Sequence, residues 1–314
     1  MTFKLFLAGL YTSNFDKDGR LYSRCTVNEK WQRDYASNLL ESYHYISRQA
    51  YVDRIRKDKV QVFLDSGAFS AWSKGVSIDM KGYCRYIQEN DDILLKVGGD
   101  LWASVLDAIG NDEQTYQNQL AMEKLGVRPL PCFHFGENPK YLEYYVANYT
   151  SITIGGLVGK SDNVARPWLD MIWEKYMLDG AGHPKVRVHG FGVTRPDFMR
   201  RYPWYSTDSS SWVQIAAAGG VLTLPEARVV SVSSQSPSRR VEGQHFTTLP
   251  PIMRDAVSTK LEAYGGDPQR LSSEYLSRWC FNIYAYSLLG EIISNEKGGN
   301  PTFHPEKYDL FENA

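Results

Sequence analysis

The chain has 314 residues, 43% of them hydrophobic, which supports a sizeable core in one large domain or two ordinary ones and excludes a wholly disordered chain. Its net charge is −1, which excludes a global positive field, so any polyanion must be held by local patches. The four cysteines, Cys25, Cys84, Cys132 and Cys280, form no CxxC pair; this excludes a zinc ribbon or dithiol motif and matches a reducing compartment, so a cytoplasmic location is expected.

Residues 4–9 form the first predicted strand. The first ten residues lack a basic leader and a long apolar run, and Asp16 and Lys17 soon follow, so a strand is expected there and not a signal peptide. No stretch is long and apolar enough to span a membrane. Residues 28–49 have helical spacing, with Trp31, Tyr35, Leu39, Leu40 and Tyr43 on one side. A second strand follows at 61–65 and a helix at 79–89, with Asp79 near its start. Residues 101–107 read as the third strand and 112–125 as a helix closed by Gly126. The fourth strand is 129–135, followed by a helix over 138–147 with Pro139 in its first turn.

The fifth strand, 151–154, runs into Gly155-Gly156-Leu157-Val158-Gly159, and a long helix covers 163–178. The sixth strand, 185–188, ends at His189-Gly190-Phe191-Gly192, and a short helix covers 195–201. The seventh, 204–207, ends at Asp208, with a helix over 210–218. The eighth is either 220–224 or 228–232. Residues 231–244, with Ser238-Arg239-Arg240, read as an exposed loop. Helices are expected over 250–264 and 271–293, the second packed by Trp279, Phe281, Tyr284, Tyr286 and Leu289, and the tail after Glu296 is expected to be extended.

Strands alternating with helices predict an α/β fold with parallel strands. About eight such units predict a closed (β/α)8 barrel over residues 1–235, with a C-terminal loop and helices, 236–314, packed on it. The alternative, an open doubly wound sheet, lacks a GxGxxG after its first strand. Barrel chemistry sits at the C-terminal ends of the strands, which here carry Asp65, Asp107, His134, the glycine loop 155–159, His189 and Asp208.

The stretch Val62-Phe63-Leu64-Asp65-Ser66-Gly67-Ala68-Phe69-Ser70 carries the clearest signal. Apolar residues run into an acid, and Ser-Gly-Ala then turns the backbone. A carboxylate ending a buried strand is costly unless it has a task or a partner. Asp65 therefore reads as catalytic and Phe69 as the wall of a flat pocket. The plainer reading of such acids is a helix N-cap or a partner for a buried arginine. Two carboxylates across a glycosidic bond equip a site for retaining glycosyl transfer, one attacking C1′ and one moving a proton. A third can accept two hydrogen bonds from the N–H edge of a base.

These stretches resemble the tRNA-guanine transglycosylase superfamily. Leu64-Asp65-Ser66-Gly67-Ala68-Phe69 looks like its SDSGG-aromatic motif, and Gly155-Gly156-Leu157-Val158-Gly159 like its GGL-(A)-VG loop, one residue short. Gly190-Phe191-Gly192 resembles its GVG or GIG turn, and Asp208-Ser209 its FD-(C/S) strand end. The order and approximate spacing agree over residues 60–212.

The resemblance implies roles. Asp208 would be the nucleophile and Asp65 the general acid/base. Asp107 would read the 2-amino and ring N–H edge of the base, with Phe69 stacked on it and Ser66 and Gly67 shaping the turn beside it. Gly155, Gly156 and Leu157 would contact the carbonyl or 7-substituent of the base. His134 stands where the family has glutamine, and His189, beside Gly190, where it often has methionine. The CxCxxC…H zinc set of the tRNA enzymes has no counterpart, since that region offers only Cys280, His245 and His304. A lysine-rich RNA-binding domain is also missing. The resemblance is therefore greatest to the DpdA-type DNA-guanine transglycosylases of phages and bacterial modification islands, which would place a phage-encoded chain in the host cytoplasm. It implies DNA and a free 7-deazaguanine base as partners, no cofactor and no metal. Arg195, Arg200, Arg201, Arg239 and Arg240 are the expected phosphate contacts. Rival readings are the same exchange on tRNA, a non-catalytic nucleic-acid-binding barrel and a glycoside hydrolase.

Overall fold

The computed structural model describes residues 2–12, 23–299 and 301–303. The strands are β1 (Lys4–Ala8), β2 (Leu39–Ser42), β3 (Val62–Asp65), β4 (Lys96–Val97), β5 (Asp100–Leu101), β6 (Cys132–His134), β7 (Ser151–Gly155), β8 (Arg187–Gly190), β9 (Ser206–Ser209), β10 (Gly220–Thr223) and β11 (Arg228–Ser231). Seven pair in parallel in the order β3-β2-β1-β9-β8-β7-β6. The two outer strands are joined through segment 102–105. Leu64 pairs with Ala103 on one side and Ser104 with Leu130 on the other, both in parallel. That segment is the eighth stave and closes the sheet into a (β/α)8 barrel.

The expected count of eight holds, but one member differs. Leu39–Ser42, expected within a helix, is the second stave; the helix Val27–Asp34 stops well before it. Both faces of this strand are buried, so Leu39 and Leu40 follow each other without the alternation that marks a half-buried strand. The two rivals for the eighth strand are both strands, but β10 and β11 pair antiparallel in a hairpin outside the barrel. Residues 231–244, expected as an exposed loop, include a 3-10 turn at Pro237–Arg240, and Ser233 and Ser236 are buried.

Inside the barrel, side chains follow the period of two that strands impose. Phe6, Leu40, Phe63, Trp102, Leu130 and Tyr205 form an inner cluster, separate from the larger core between strands and helices. Phe63 packs edge-on against Trp102 and His189, with ring centroids 4.9 and 4.7 Å apart. This aromatic plug fills the barrel below the strand ends. Asp65 lies two residues beyond Phe63, on the same face of β3 and one layer higher.

The helix Tyr275–Lys297 covers the outside of β1 and packs between the helices Val27–Asp34 and Ser211–Ala217. It is buried along most of its length, including Trp279, Phe281 and Leu289. Gly290 lets its backbone approach β1, because a Cβ there would lie 2.9 Å from Leu5 Cβ. Gly290→Val should therefore destabilise the fold by about 1–3 kcal/mol, as overpacking does. Urea unfolding checks this, and an unchanged midpoint contradicts it.

Candidate active site

The strand ends surround a cavity of about 980 Å³. Asp65, Asp107, Asp208, His134, Gly155, Gly156 and Phe69 line it, so seven of the residues expected to form the site converge. β3 and β9 are separated by β2 and β1 in the sheet, so Asp65 and Asp208 enter one cavity from strands three places apart.

Asp65 is held by its own turn. Gly67 N–H donates to Asp65 Oδ2 at 3.0 Å, and Ser104 Oγ reaches Asp65 Oδ1 at 3.4 Å. Ser104 is fully buried and also accepts from Ser66 N–H at 2.9 Å. Gly67 has φ +78°, and a Cβ there would overlap Ser42 and His44, so the turn requires glycine. Burial pushes the Asp65 pKa up to about 7, reinforced by the charges of Asp107 and Asp208. The plug below and the neighbouring acids both disfavour a third negative charge.

Asp208 has a different environment. It is 8% exposed, and Gly192 N–H donates to its Oδ1 at 2.7 Å. This backbone donor fixes the orientation of the Asp208 carboxyl group. His189 lies beneath it, with Nε2 3.4 Å from Asp208 Oδ1 and Nδ1 2.8 Å from Ser206 Oγ. Burial lowers the His189 pKa, so the ring is a neutral part of the plug and not a counter-ion.

Asp107, at the end of the closing stave, lies with its Oδ2 3.5 Å from His134 Nε2, while its Oδ1 is buried without a hydrogen-bond partner. His134 Nδ1 lies 2.9 Å from Glu137 Oε1, and Glu137 Oε2 accepts from His134 N–H at 2.8 Å. Cys132 Sγ is 3.4 Å from His134 Nε2. Burial opposes a charged His134, but the Asp107 carboxylate beside it outweighs this and raises its pKa. Burial, then Asp107, pushes the Cys132 thiol up to about 11, so Cys132 is a neutral thiol here.

Other expected site residues support the cavity without lining it. Ser66 and Gly67 build the turn under Asp65, and Leu157 is buried behind the glycine loop. Gly190 faces the helical layer, where a Cβ would meet Val193 and Trp204. Phe69 stands at the rim, 64% exposed, beside the exposed Trp72. Sequence reasoning missed Glu137, Phe191, Ser42, Tyr45 and Lys160, all of which line the cavity. The i,i+3 spacing of His134 and Glu137 across Gly136 was the signal for the first of these.

The arginines separate by place. Arg195, at the mouth, pairs with Asp162 and Asp197. The helix Pro196–Arg201 then runs from the end of β8 down to the start of β9. This puts Arg200 and Arg201 at the opposite face, paired with Glu296 and Asp170. Arg239 and Arg240 sit in the turn after β11, where Arg239 donates to the Ser234 carbonyl. That turn packs near Gly219, at the end of the helix Ser211–Ala217 remote from Asp208. A single phosphate track from the mouth therefore cannot use all five. Cys280 lies 3.9 Å from Cys25, and His245 is engaged by Ser233 and Thr247. Asp16, Lys17 and His304 lie outside the described residues.

No protein-family model matches the sequence, and no curated protein matches it. Among solved structures, a protein of Aquifex aeolicus is similar over 68% of this chain and 85% of its own, at 9% identity and a TM-score of 0.38. A mutant tryptophan synthase α-subunit from the hyperthermophile Pyrococcus furiosus is similar over 69% of this chain and 90% of its own, at 10% identity and a TM-score of 0.41. Likenesses this distant carry no argument about the site, and the barrel rests on the strand order itself. No helix among the described residues is long and apolar enough to cross a membrane.

The raised pKa of Asp65 sets a pH dependence. The folded state keeps the Asp65 proton to about pH 7, whereas the unfolded chain releases it near 3.8. Between those values the folded state binds more protons, so this contribution to stability is lost as pH rises. Buried Glu41, pushed up to about 8, acts in the same direction. Asp65→Asn should flatten the fall between pH 4 and 7, and Glu41→Gln the part that continues to pH 8. Urea midpoints across that range check both; an Asp65→Asn slope equal to wild type refutes the Asp65 assignment.

Proposed function

We propose that the protein exchanges guanine in DNA for a free 7-deazaguanine, such as 7-cyano-7-deazaguanine (preQ0), through a glycosyl-enzyme intermediate on Asp208. The observation that carries this reading is the pair of carboxylates in unlike environments, Asp65 with its pKa pushed up to about 7 and Asp208 held by the Gly192 N–H. A carboxyl poised near neutrality moves protons efficiently at neutral pH. A carboxylate held in place by a backbone donor can attack carbon as a nucleophile.

The steps balance as follows. Asp208 attacks C1′ as the bond to guanine N9 breaks, and Asp65 supplies the proton that leaves with guanine. The incoming base gives its N9 proton to Asp65 as N9 attacks C1′, and Asp208 is released. The cavity suits a flat heterocycle, with Phe69, Phe191, Ile109 and Val158 as apolar lining and Asp107 as an acceptor for an N–H edge. The four motifs in the order of the guanine transglycosylases support the same reading. The sequence lacks the CxCxxC spacing of the tRNA enzymes, which supports DNA as the acceptor. A guanine in a duplex must leave the stack, or be presented single-stranded, for C1′ to be reached. Lys160 and Arg195 are the basic residues nearest the mouth for the flanking phosphates.

Incubation with DNA and with tRNA, each with several 7-deazaguanines, followed by nucleoside mass spectrometry, tests this. Incorporation into DNA is expected, and incorporation into tRNA alone would transfer the reading to the tRNA branch. Asp208→Asn should slow exchange by roughly 10⁴-fold, as loss of a nucleophile does, and should abolish the covalent adduct. Normal turnover by that variant refutes the mechanism. Binding without exchange or adduct would identify a binding protein, and release of free sugar a hydrolase.

A further inference from the structure

We propose that Asp107, Cys132 and His134 form a binding site for a zinc-type divalent metal ion in the wall of the cavity. Cys132 and His134 are two residues apart on β6, so both side chains leave the same face of the strand. Asp107 ends the neighbouring stave. One donor atom from each lies within 4.8 Å of the others.

Two of the three donor spacings, both measured from His134 Nε2, match tetrahedral coordination. Zinc binds sulfur at about 2.3 Å, and imidazole nitrogen and carboxylate oxygen at about 2.0–2.2 Å. Tetrahedral angles then set the donor atoms roughly 3.3–3.6 Å apart. His134 Nε2 is 3.4 Å from Cys132 Sγ and 3.5 Å from Asp107 Oδ2.

The surroundings are those of a metal-binding histidine. Glu137 Oε1 lies 2.9 Å from His134 Nδ1, so that carboxylate can accept from Nδ1 while Nε2 faces Cys132 and Asp107. Ligating histidines are commonly oriented by such an outer carboxylate. Gly155 makes room for the ring, since a Cβ there would come 2.7 Å from His134 Cδ2. Independently of the cluster, the Asp107 side chain is only 10% exposed and its Oδ1 has no partner. A buried carboxylate oxygen without a donor is costly. The cavity also gathers Asp65, Asp112, Glu137 and Asp208, against which its basic lining residues are His134 and Lys160.

Three protein donors leave a fourth position, the arrangement of a metal that also meets a ligand or water. Cys132 gives its thiol proton to solvent on binding, so affinity rises with pH. The site shares Asp107 with the base-exchange reading, but its test is independent of that reading, because metal binding is measured without nucleic acid or base.

The test is anaerobic titration of the reduced, chelator-treated full chain with Co²⁺. One equivalent should bind, with a thiolate-to-cobalt charge-transfer band and visible bands of tetrahedral intensity, and Zn²⁺ should bleach both. Cys132→Ser should lose the charge-transfer band, while Cys25→Ser keeps it. Because Cys132 is in the core, circular dichroism first verifies the fold of its variant. Glu137→Gln, in the turn after β6, is the second variant and should weaken binding by roughly 10–100-fold. No stoichiometric Co²⁺ binding by the wild type would overturn the site and leave a protonated His134 between Asp107 and Glu137. A charge-transfer band that survives in Cys132→Ser, or unchanged affinity in Glu137→Gln, would overturn it equally.

Discussion

The two-residue period of a barrel stave is the constraint from which the site follows. On β3, Phe63 and Asp65 point to the same side, and on β9 Ser206 and Asp208 do. On the closing stave, Trp102 is followed two residues later by Ser104, and on β2 Leu40 by Ser42. β2, β3 and the closing stave thus each contribute a side chain to the plug and a smaller or polar one to the layer above. Slipping β3 by one residue would turn both Phe63 and Asp65 out into the helical layer and leave the plug and the mouth without them. The packing that fills the barrel also aims the carboxylates.

The plug makes those carboxylates unlike one another. It excludes water from below, so each charge above it depends on its own donors. Asp208 has the Gly192 N–H at 2.7 Å and a neutral His189 beneath it. Asp65 has one backbone donor at 3.0 Å and a longer contact to Ser104, and it faces two other acids. Asp107 has a histidine on one oxygen and nothing on the other. Three identical side chains at one mouth thereby acquire a poised acid, a held carboxylate and an acceptor with spare capacity.

Much of this was legible in the sequence, because an apolar run ending in Asp or His reads the same in a chain as in a barrel. Asp65, Asp107, His134 and Asp208 were found that way, and the glycine loop by its composition. What could not be read depends on distance along the barrel. β2 is four residues long and buried on both faces, so the aromatic spacing around it suggested a helix. Arg195, Arg200 and Arg201 are close in sequence, yet one helix carries the last two to the opposite face. Glu137 and Phe191 stand just after their strands, where no periodicity marks them.

The unlikeness of the acids also limits what chemistry the mouth can do. If all three were equally solvated, all would be ionised at neutral pH and none could donate a proton. The turn through Gly67 and the turn through Gly192 resolve this, because each presents a backbone N–H to one acid at a different distance and against a different background of charge. Glycine at both positions is what lets the backbone come round to face its own strand ends, with φ of +78° and +63°. The difference in backbone donation to Asp65 and Asp208 is therefore built into two turns.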